Sequence, residues 1–328
     1  MDGRRRGSAA REILAAVIYT LTLNPAIDRE LAVPSIVLGE VLRATAHRVD
    51  WGGKGFNVSR SLRALGGEST ALGFVGGEAG RRIAAGLAQL GIAVDFVEIA
   101  GETRTNVTVV DGVRYLKVNE PGPTITAAEE ARLIDKVRAL ARPGDWWVLS
   151  GSLPPGASPG IYADVIRIVQ AAGARAVLDT SGAALAQGCA AQPFLVKPNA
   201  AEAAELTGRR VDPSEDGDGF GAARDAAADL HARGVSYVLL SLGRRGALLS
   251  DGRSSWMARP PRITERNPVG AGDSMVAGMV WGLAQGMPVE RALRWAVASG
   301  AAAASLDGTA FGTHAEVTAL EPQVEVAA

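Results

Sequence analysis

Short apolar runs alternate with amphipathic segments along nearly the whole chain, and this alternation limits the fold more than any other feature. Runs of strand length fall at residues 16–23, 70–75, 94–99, 146–150, 176–179, 194–196, 237–241 and 247–250. Helical spacing of apolar residues marks 80–90, 127–141, 161–172, 200–206, 220–233, 289–305 and 314–320, with one more helix after Asp273. Strands apolar throughout are buried on both faces, and strand–helix alternation makes successive strands parallel. The expected fold class is therefore α/β: a doubly wound, mostly parallel sheet with helices on both faces. Ligands in that class bind beyond the carboxyl ends of the strands. Glycine-rich and polar segments follow the strands at 24–28, 151–156, 197–202, 242–246 and 269–273, which places them on one rim.

Two stretches break the alternation. Residues 29–50 hold short β-type pieces (31–33, 41–42 and 47–49), and residues 104–119 hold two runs flanking Asp111-Gly112, a two-residue hairpin signal. They are expected to form a small discontinuous sheet acting as a lid over the site. Apolar residues on both faces of such a lid would favour a homodimer through it. The rest reads as one α/β domain over 12–328. The basic residues 1–11, followed by an apolar stretch from Ile13, look like the start of a signal peptide. That stretch is short and continues into the first strand, so 1–11 are read as a disordered tail. No run of about 18 apolar residues occurs, so no membrane span is expected.

Charge excludes several classes of partner. Lys+Arg number 34 against 35 Asp+Glu, which leaves no global field for nucleic acid or an anionic membrane. Aromatic residues make up only 5%, too few for base-stacking surfaces. The single Cys189 rules out an intrachain disulfide and fits a reducing cytoplasm. Three separated histidines, His47, His231 and His314, give no basis for a histidine metal site or triad.

The chemistry concentrates in Asn267-Pro-Val-Gly-Ala-Gly-Asp273. Gly270, Ala271 and Gly272 precede a helix whose apolar residues are Met275, Val276, Met279, Val280 and Leu283. Bare amides at such a start, with the positive end of the helix dipole, suit a phosphoryl group. A carboxylate there either caps the helix or takes a proton from an attacking hydroxyl. Gly52-Gly53-Lys54-Gly55 opens another helix. Gly follows its lysine, so it is not a Walker A loop. It is either a flexible turn with a solvated lysine or a clamp for a substrate phosphate. Asn57, one turn on, can donate to a sugar hydroxyl. Asn199 and Glu202 read equally as a capping box.

These two blocks, with Tyr19-Thr-Leu-Thr-Leu-Asn-Pro-Ala-Ile-Asp28, Ser150-Gly-Ser-Leu-Pro-Pro-Gly156, Val196-Lys-Pro-Asn-Ala-Ala-Glu202 and Ser241-Leu-Gly-Arg-Arg-Gly246, resemble the ribokinase-like PfkB family of carbohydrate kinases. The resemblance spans roughly residues 19 to 310. Within the family it resembles the branch that phosphorylates sugar phosphates: 1-phosphofructokinase, tagatose-6-phosphate kinase and the minor 6-phosphofructokinase. It implies ATP and Mg²⁺ as cofactors, Asp273 as general base, and Gly270, Ala271 and Gly272 as the anion hole. Asp28, Gly53, Asn57 and Ser152 are implied on the sugar, and Arg43, Lys54 and Arg104 on the phosphate it already carries. Lys197, Asn199, Glu202, Ser241, Gly243 and Gly246 are implied at the nucleotide, with Asn199 and Glu202 organising the metal through water. Val41 stands where the minor 6-phosphofructokinases carry a lysine, and Lys54 interrupts their four-glycine block. That departure, with Lys117-Val-Asn-Glu-Pro-Gly122, leans towards fructose 1-phosphate as substrate. Rival readings are a kinase of an unphosphorylated sugar or nucleoside and a non-catalytic sugar-phosphate sensor. A Rossmann dehydrogenase fits worse, because no strand leads into Gly-x-Gly-x-x-Gly.

Overall fold

A computed structural model describes residues 16–211 and 220–328. The tail expected at 1–11 lies outside the described residues. In chain order the elements are β1 (Ile18–Thr22), β2 (Ala26–Ala32), β3 (Ala46–Gly52), α1 (Lys54–Ala64), β4 (Thr70–Val75), α2 (Gly77–Gln89), β5 (Ala93–Val94), β6 (Val97–Glu98), β7 (Arg104–Val110) and β8 (Tyr115–Asn119). There follow α3 (Ala127–Leu140), β9 (Trp146–Ser150), α4 (Ile161–Ala171), β10 (Arg175–Asp179), α5 (Gly182–Ala190), β11 (Leu195–Val196), α6 (Ala200–Thr207) and α7 (Gly221–Ala232). The chain closes with β12 (Tyr237–Ser241), β13 (Ala247–Ser250), β14 (Ser255–Arg259), α8 (Ala271–Ala284), α9 (Val289–Ala304), α10 (His314–Leu320) and β15 (Glu325–Ala327).

The large sheet runs β15-β14-β13-β12-β11-β10-β9-β1-β4-β5, with β6 pairing on β4 beside that path. From β5 to β12 every pairing is parallel, and Tyr19 sits in register with Thr70 on one side and Trp147 on the other. The chain winds outward from β1 through β4, then crosses back to β9 and winds the other way. The crevice of such a sheet opens where the order reverses, beyond the carboxyl ends of β1 and β9. Alternation along the strands divides the core between the two faces. Trp147 and Leu149 of β9 join one apolar cluster with α3, α4, α5 and α7. Trp146 and Val148 join the other, with α1, α8, α9 and α10.

The structure departs from the sequence expectations at several places. Beyond β12 the sheet turns antiparallel, through β13 and β14 to β15. Neither β14 nor β15 is foreseeable from periodicity, because β15 is three residues long and exists only by pairing with β14, from Met257 against Ala327 to Arg259 against Glu325. The run expected over 94–99 splits into β5 and β6, with Lys136 gripping the carbonyls of Asp95 and Phe96 between them. Residues 41–42 belong to no strand.

The second sheet is real and runs β3-β2-β7-β8, with β2 and β7 parallel. Its outer hairpin is looser than the Asp111-Gly112 pair suggests. Val110 pairs with Tyr115, leaving residues 111–114 as the loop. Asp111 organises it by accepting from the Val113, Arg114 and Ile36 amides and the Arg114 guanidinium. Those bonds hold its carboxyl well below the usual carboxylate range. Arg60 of α1 ties this sheet to the body, donating to Asp50 of β3 and to the Thr309 carbonyl.

Helix α8 is buried all round. The expected apolar face (Met275, Val276, Met279, Val280) is matched on the other side by Ala277, Gly278, Trp281 and Gly282. A helix buried on every side must let its neighbours come close. A Cβ at Gly278 would stand 2.7 Å from the Trp295 carbonyl of α9.

Candidate active site

The carboxyl ends of β1, β9, β10, β11 and β12 deliver Asn24, Ser152, Asp179, Lys197 and Ser241 to one rim. The start of α8 and the small sheet close over it. A cleft of about 1430 Å³ results, large for one small ligand and suited to two. Of the expected residues, Asp28, Gly53, Lys54, Asn57, Arg104, Ser152, Lys197, Asn199, Ser241, Gly243, Gly246, Gly270, Ala271, Gly272 and Asp273 all line it. Arg43 does not. It stands exposed on the connection between β2 and β3. Glu202 also lies off the wall.

Helix α8 starts at a glycine for a conformational reason. Gly270 caps it with φ 83°, the left-handed region that a side chain resists. The Ala271 amide donates back to the Pro268 carbonyl, which leaves the Gly272 and Asp273 amides without a partner among the described residues. Of the three residues expected as the anion hole, Ala271 alone has its amide engaged; that of Gly270, like that of Gly272, has no partner among the described residues. Asp273 is only 7% exposed, and Asn57 Nδ2 donates to its Oδ2 at 2.8 Å. Burial foremost, and then the nearby Asp179 carboxylate, push its pKa up to about 6, against the pull of Lys54, Asn57 and Lys197.

Asp179 is a residue that the sequence reading passed over. Its side chain is fully buried, and its Oδ1 meets Lys54 Nζ at 3.3 Å and Lys197 Nζ at 3.2 Å. Burial opposes the charge on Lys54, but Asp179, Asp273 and Glu202 outweigh it and raise its pKa. Lys197 is nearly buried, and its ammonium lies 3.6 Å from where a Cβ on Gly272 would stand. Lys54, expected on the phosphate the sugar carries, thus belongs to the same group as Lys197 and Asp273. The overlooked signal was position: a carboxylate ending an all-apolar strand falls on the ligand rim.

At the other end, Asp28 of β2 accepts from Asn106 Nδ2 at 2.8 Å, and burial raises its pKa. The carboxylate needs Gly52 opposite it, because a Cβ there would stand 2.1 Å from Asp28 Oδ2. Arg104 donates to the Glu120 and Asn24 carbonyls at 2.7 and 2.9 Å, which braces the rim and engages both terminal nitrogens of its fork. Lys117 and Asn119 of β8 line this end too, and neither was singled out as a ligand from sequence. Lys117 has no side-chain hydrogen bond or ion pair among the described residues, and its charge acts on Asp28.

Asn199 and Glu202 form the capping box of α6: Asn199 Oδ1 accepts from the Glu202 amide, and Glu202 Oε2 accepts from the Asn199 amide. Glu202 Oε1 stays uncommitted and can accept from water in a metal's shell, so the pair fits an ion held indirectly. Among the described residues no group of three or more His, Cys, Asp or Glu gathers to bind a metal directly. No helix among them is long and apolar enough to cross a membrane.

Residues 17–316 match the family model described as pfkB family carbohydrate kinase. A 1-phosphofructokinase of Bacillus subtilis is 36% identical over 310 residues, covering 94% of this chain and 99% of the relative. One from Vibrio cholerae is 33% identical over 313 residues, covering 95% and 96%. Among solved structures, phosphofructokinase-2 from Escherichia coli in complex with potassium superposes with a TM-score of 0.87 at 34% identity, covering 94% of this chain and 98% of that one.

Proposed function

This chain belongs to the pfkB family of carbohydrate kinases, and we propose that it transfers the terminal phosphoryl group of ATP to the 6-hydroxyl of fructose 1-phosphate. The products are fructose 1,6-bisphosphate and ADP. One observation carries the reading: Asp273 stands beside bare amides at the start of α8, with cations at both ends of the same cleft. Phosphoryl transfer needs positioning and charge stabilisation more than covalent help. The Gly272 and Asp273 amides, Lys54 and Lys197 supply that stabilisation around the migrating group. Asp273 takes the proton of the attacking hydroxyl. A carboxylate raised towards 6 remains ionised at neutral pH and is a stronger base than an ordinary aspartate.

Asp28, Asn106 and Asn57 orient the sugar hydroxyls. The ester phosphate falls to Lys117, the unpaired ammonium at that end, with Ser152 and Asn119 beside it. Arg104 shapes the wall and adds charge. Arg43 is left out of the clamp within one chain. Ser241, Gly243 and Gly246 border the nucleotide end, where Leu242, Pro261, Val297 and Ala301 make an apolar slot for the base. Mg²⁺ neutralises the nucleotide phosphates when bound, and Asn199 and Glu202 would hold it through water. The small sheet serves as a lid, and a second copy of the chain covers its apolar side. On β8 the exposed Leu116 and Val118 alternate with cleft-lining Lys117 and Asn119 and so take the face away from the cleft, on a sheet with open edges, while Leu38 and Val41 stand exposed on the connection between β2 and β3.

The test is a coupled assay of ADP formation with fructose 1-phosphate, fructose 6-phosphate, tagatose 6-phosphate and unphosphorylated fructose. Fructose 1-phosphate is expected to give the highest kcat/KM. No turnover on any phosphorylated sugar overturns the reading, and a preference for fructose 6-phosphate reassigns the substrate.

A further inference from the structure

Asp179 is placed oddly for a structural carboxylate. It is fully buried, its Oδ1 holds two ammonium groups, and its Oδ2 is buried with no hydrogen-bond partner among the described residues. Buried polar atoms are normally paired, and an unpaired one calls for a reason. Its two lysines approach from different elements. Lys54 opens α1, below the lid, while Lys197 leaves β11 towards α6. Asp273 is close enough for its charge to act on Lys54, and for Asp179 and both lysines to act on it. Two carboxylates and two ammonium groups therefore share one floor and balance. Without Asp179, Asp273 is the one carboxylate left acting on both ammonium groups, with Glu202 acting on Lys54 alone, and a base held in two ion pairs is a poor proton acceptor.

We propose that Asp179 is a positioning residue that keeps Lys54 and Lys197 off Asp273, leaving the base open to the acceptor hydroxyl and the ammonium groups parted on either side of the migrating phosphoryl. This inference rests on the kinase reading for its catalytic meaning, though not for its geometry. The groups facing Asp273 are Asp179 from β10, Lys54 and Asn57 from α1, and Lys197 from the segment before α6. Asp179 itself is faced by the two lysines, Asp273 and Tyr162 of α4, whose hydroxyl donates to the Ser150 and Gly151 carbonyls.

The test is Asp179→Asn, nearly the same shape without the charge. It is expected to lower kcat about a hundredfold with the sugar-phosphate KM within about threefold. The acid limb of the kcat–pH profile should move down by about one unit, because a like charge beside Asp273 is gone. A merely structural role would reduce kcat without moving that limb. The same displacement is readable without turnover, from the ¹³C carboxyl titration of Asp273 in the free protein, assigned with Asp273→Asn. If the wild type phosphorylates no sugar phosphate, the kinase reading falls while this titration still decides Asp179. Should Asp179→Asn not fold, Lys197→Gln reads the cluster from the other side, and the Asp273 midpoint should rise. A midpoint unmoved in whichever variant folds, or a kcat for Asp179→Asn within threefold of wild type, overturns the proposal.

Discussion

Asp273→Asn should make the protein more stable and nearly inactive. The carboxylate is 7% exposed, and its environment lifts its pKa from 3.8 to about 6. Burial is the first cause, so the ionised form is what the fold disfavours. A rise of that size costs about 3 kcal/mol once the group is ionised. Asparagine must itself be desolvated at this buried position, so about 1–3 kcal/mol is the difference to expect. The sign follows from proton binding. Between 3.8 and about 6 the folded wild type holds a proton that the unfolded chain has lost, so its stability falls as pH rises through that window. Asparagine carries no such penalty, and its carbonyl can still accept from Asn57. Urea unfolding at pH 7.5 should therefore show the variant more stable by about 1–3 kcal/mol. The gap should close as the pH is lowered through 6 towards 4. Turnover should fall by a factor of about 10²–10⁴, the usual worth of a general base. A variant no more stable than wild type at pH 7.5, or a gap independent of pH, would refute the account of the buried charge. Near-normal turnover would refute the base.

Three other perturbations test separate parts of the site. Lys117→Met removes the unpaired ammonium at the sugar end, and loss of one charged hydrogen bond should raise KM for the sugar phosphate about 10–100-fold with little change in kcat; an unchanged KM would assign the ester elsewhere. Gly52→Ala forces a methyl group to within 2.1 Å of Asp28 Oδ2, so the carboxylate must move off its bond to Asn106. Sugar-phosphate KM should rise about tenfold while the melting temperature changes little, and normal KM would mean that Asp28 does not touch the sugar. Leu116→Lys with Val118→Lys puts charge on the outer lid strand and should convert a dimer to a monomer in sedimentation velocity. A wild type that already sediments as a monomer would dismiss the covered lid.

The winding of the sheet was legible because it is written in local period. An apolar run such as Trp146–Ser150, buried at every position, can be placed only between two layers of helices. Strand–helix alternation then implies the parallel order and the rim on which the motifs gather. The start of α8 was legible too, because Gly270 and Asp273 lie within one turn of each other. Antiparallel β14 and β15 were not, since a short edge strand exists through its partner rather than through its own residues.

Within the cleft the division has the same origin. Which residue types stand ready for phosphate chemistry could be read along the chain, one motif at a time. Which of them meet could not: Asn57 reaches Asp273 across 216 positions, and Lys54 reaches Asp179 across 125. Arg43 has the right chemistry for an ester phosphate and stands in solvent, whereas Lys117, on a strand read as lid and not assigned to the phosphate, lines the cleft. Asp179 looked like the last residue of a strand until folding set two lysines on one of its oxygens. Charge acts through space and burial, so its consequences for Asp273 were decided by the packed sheet, after the local order of residues had already determined the fold class.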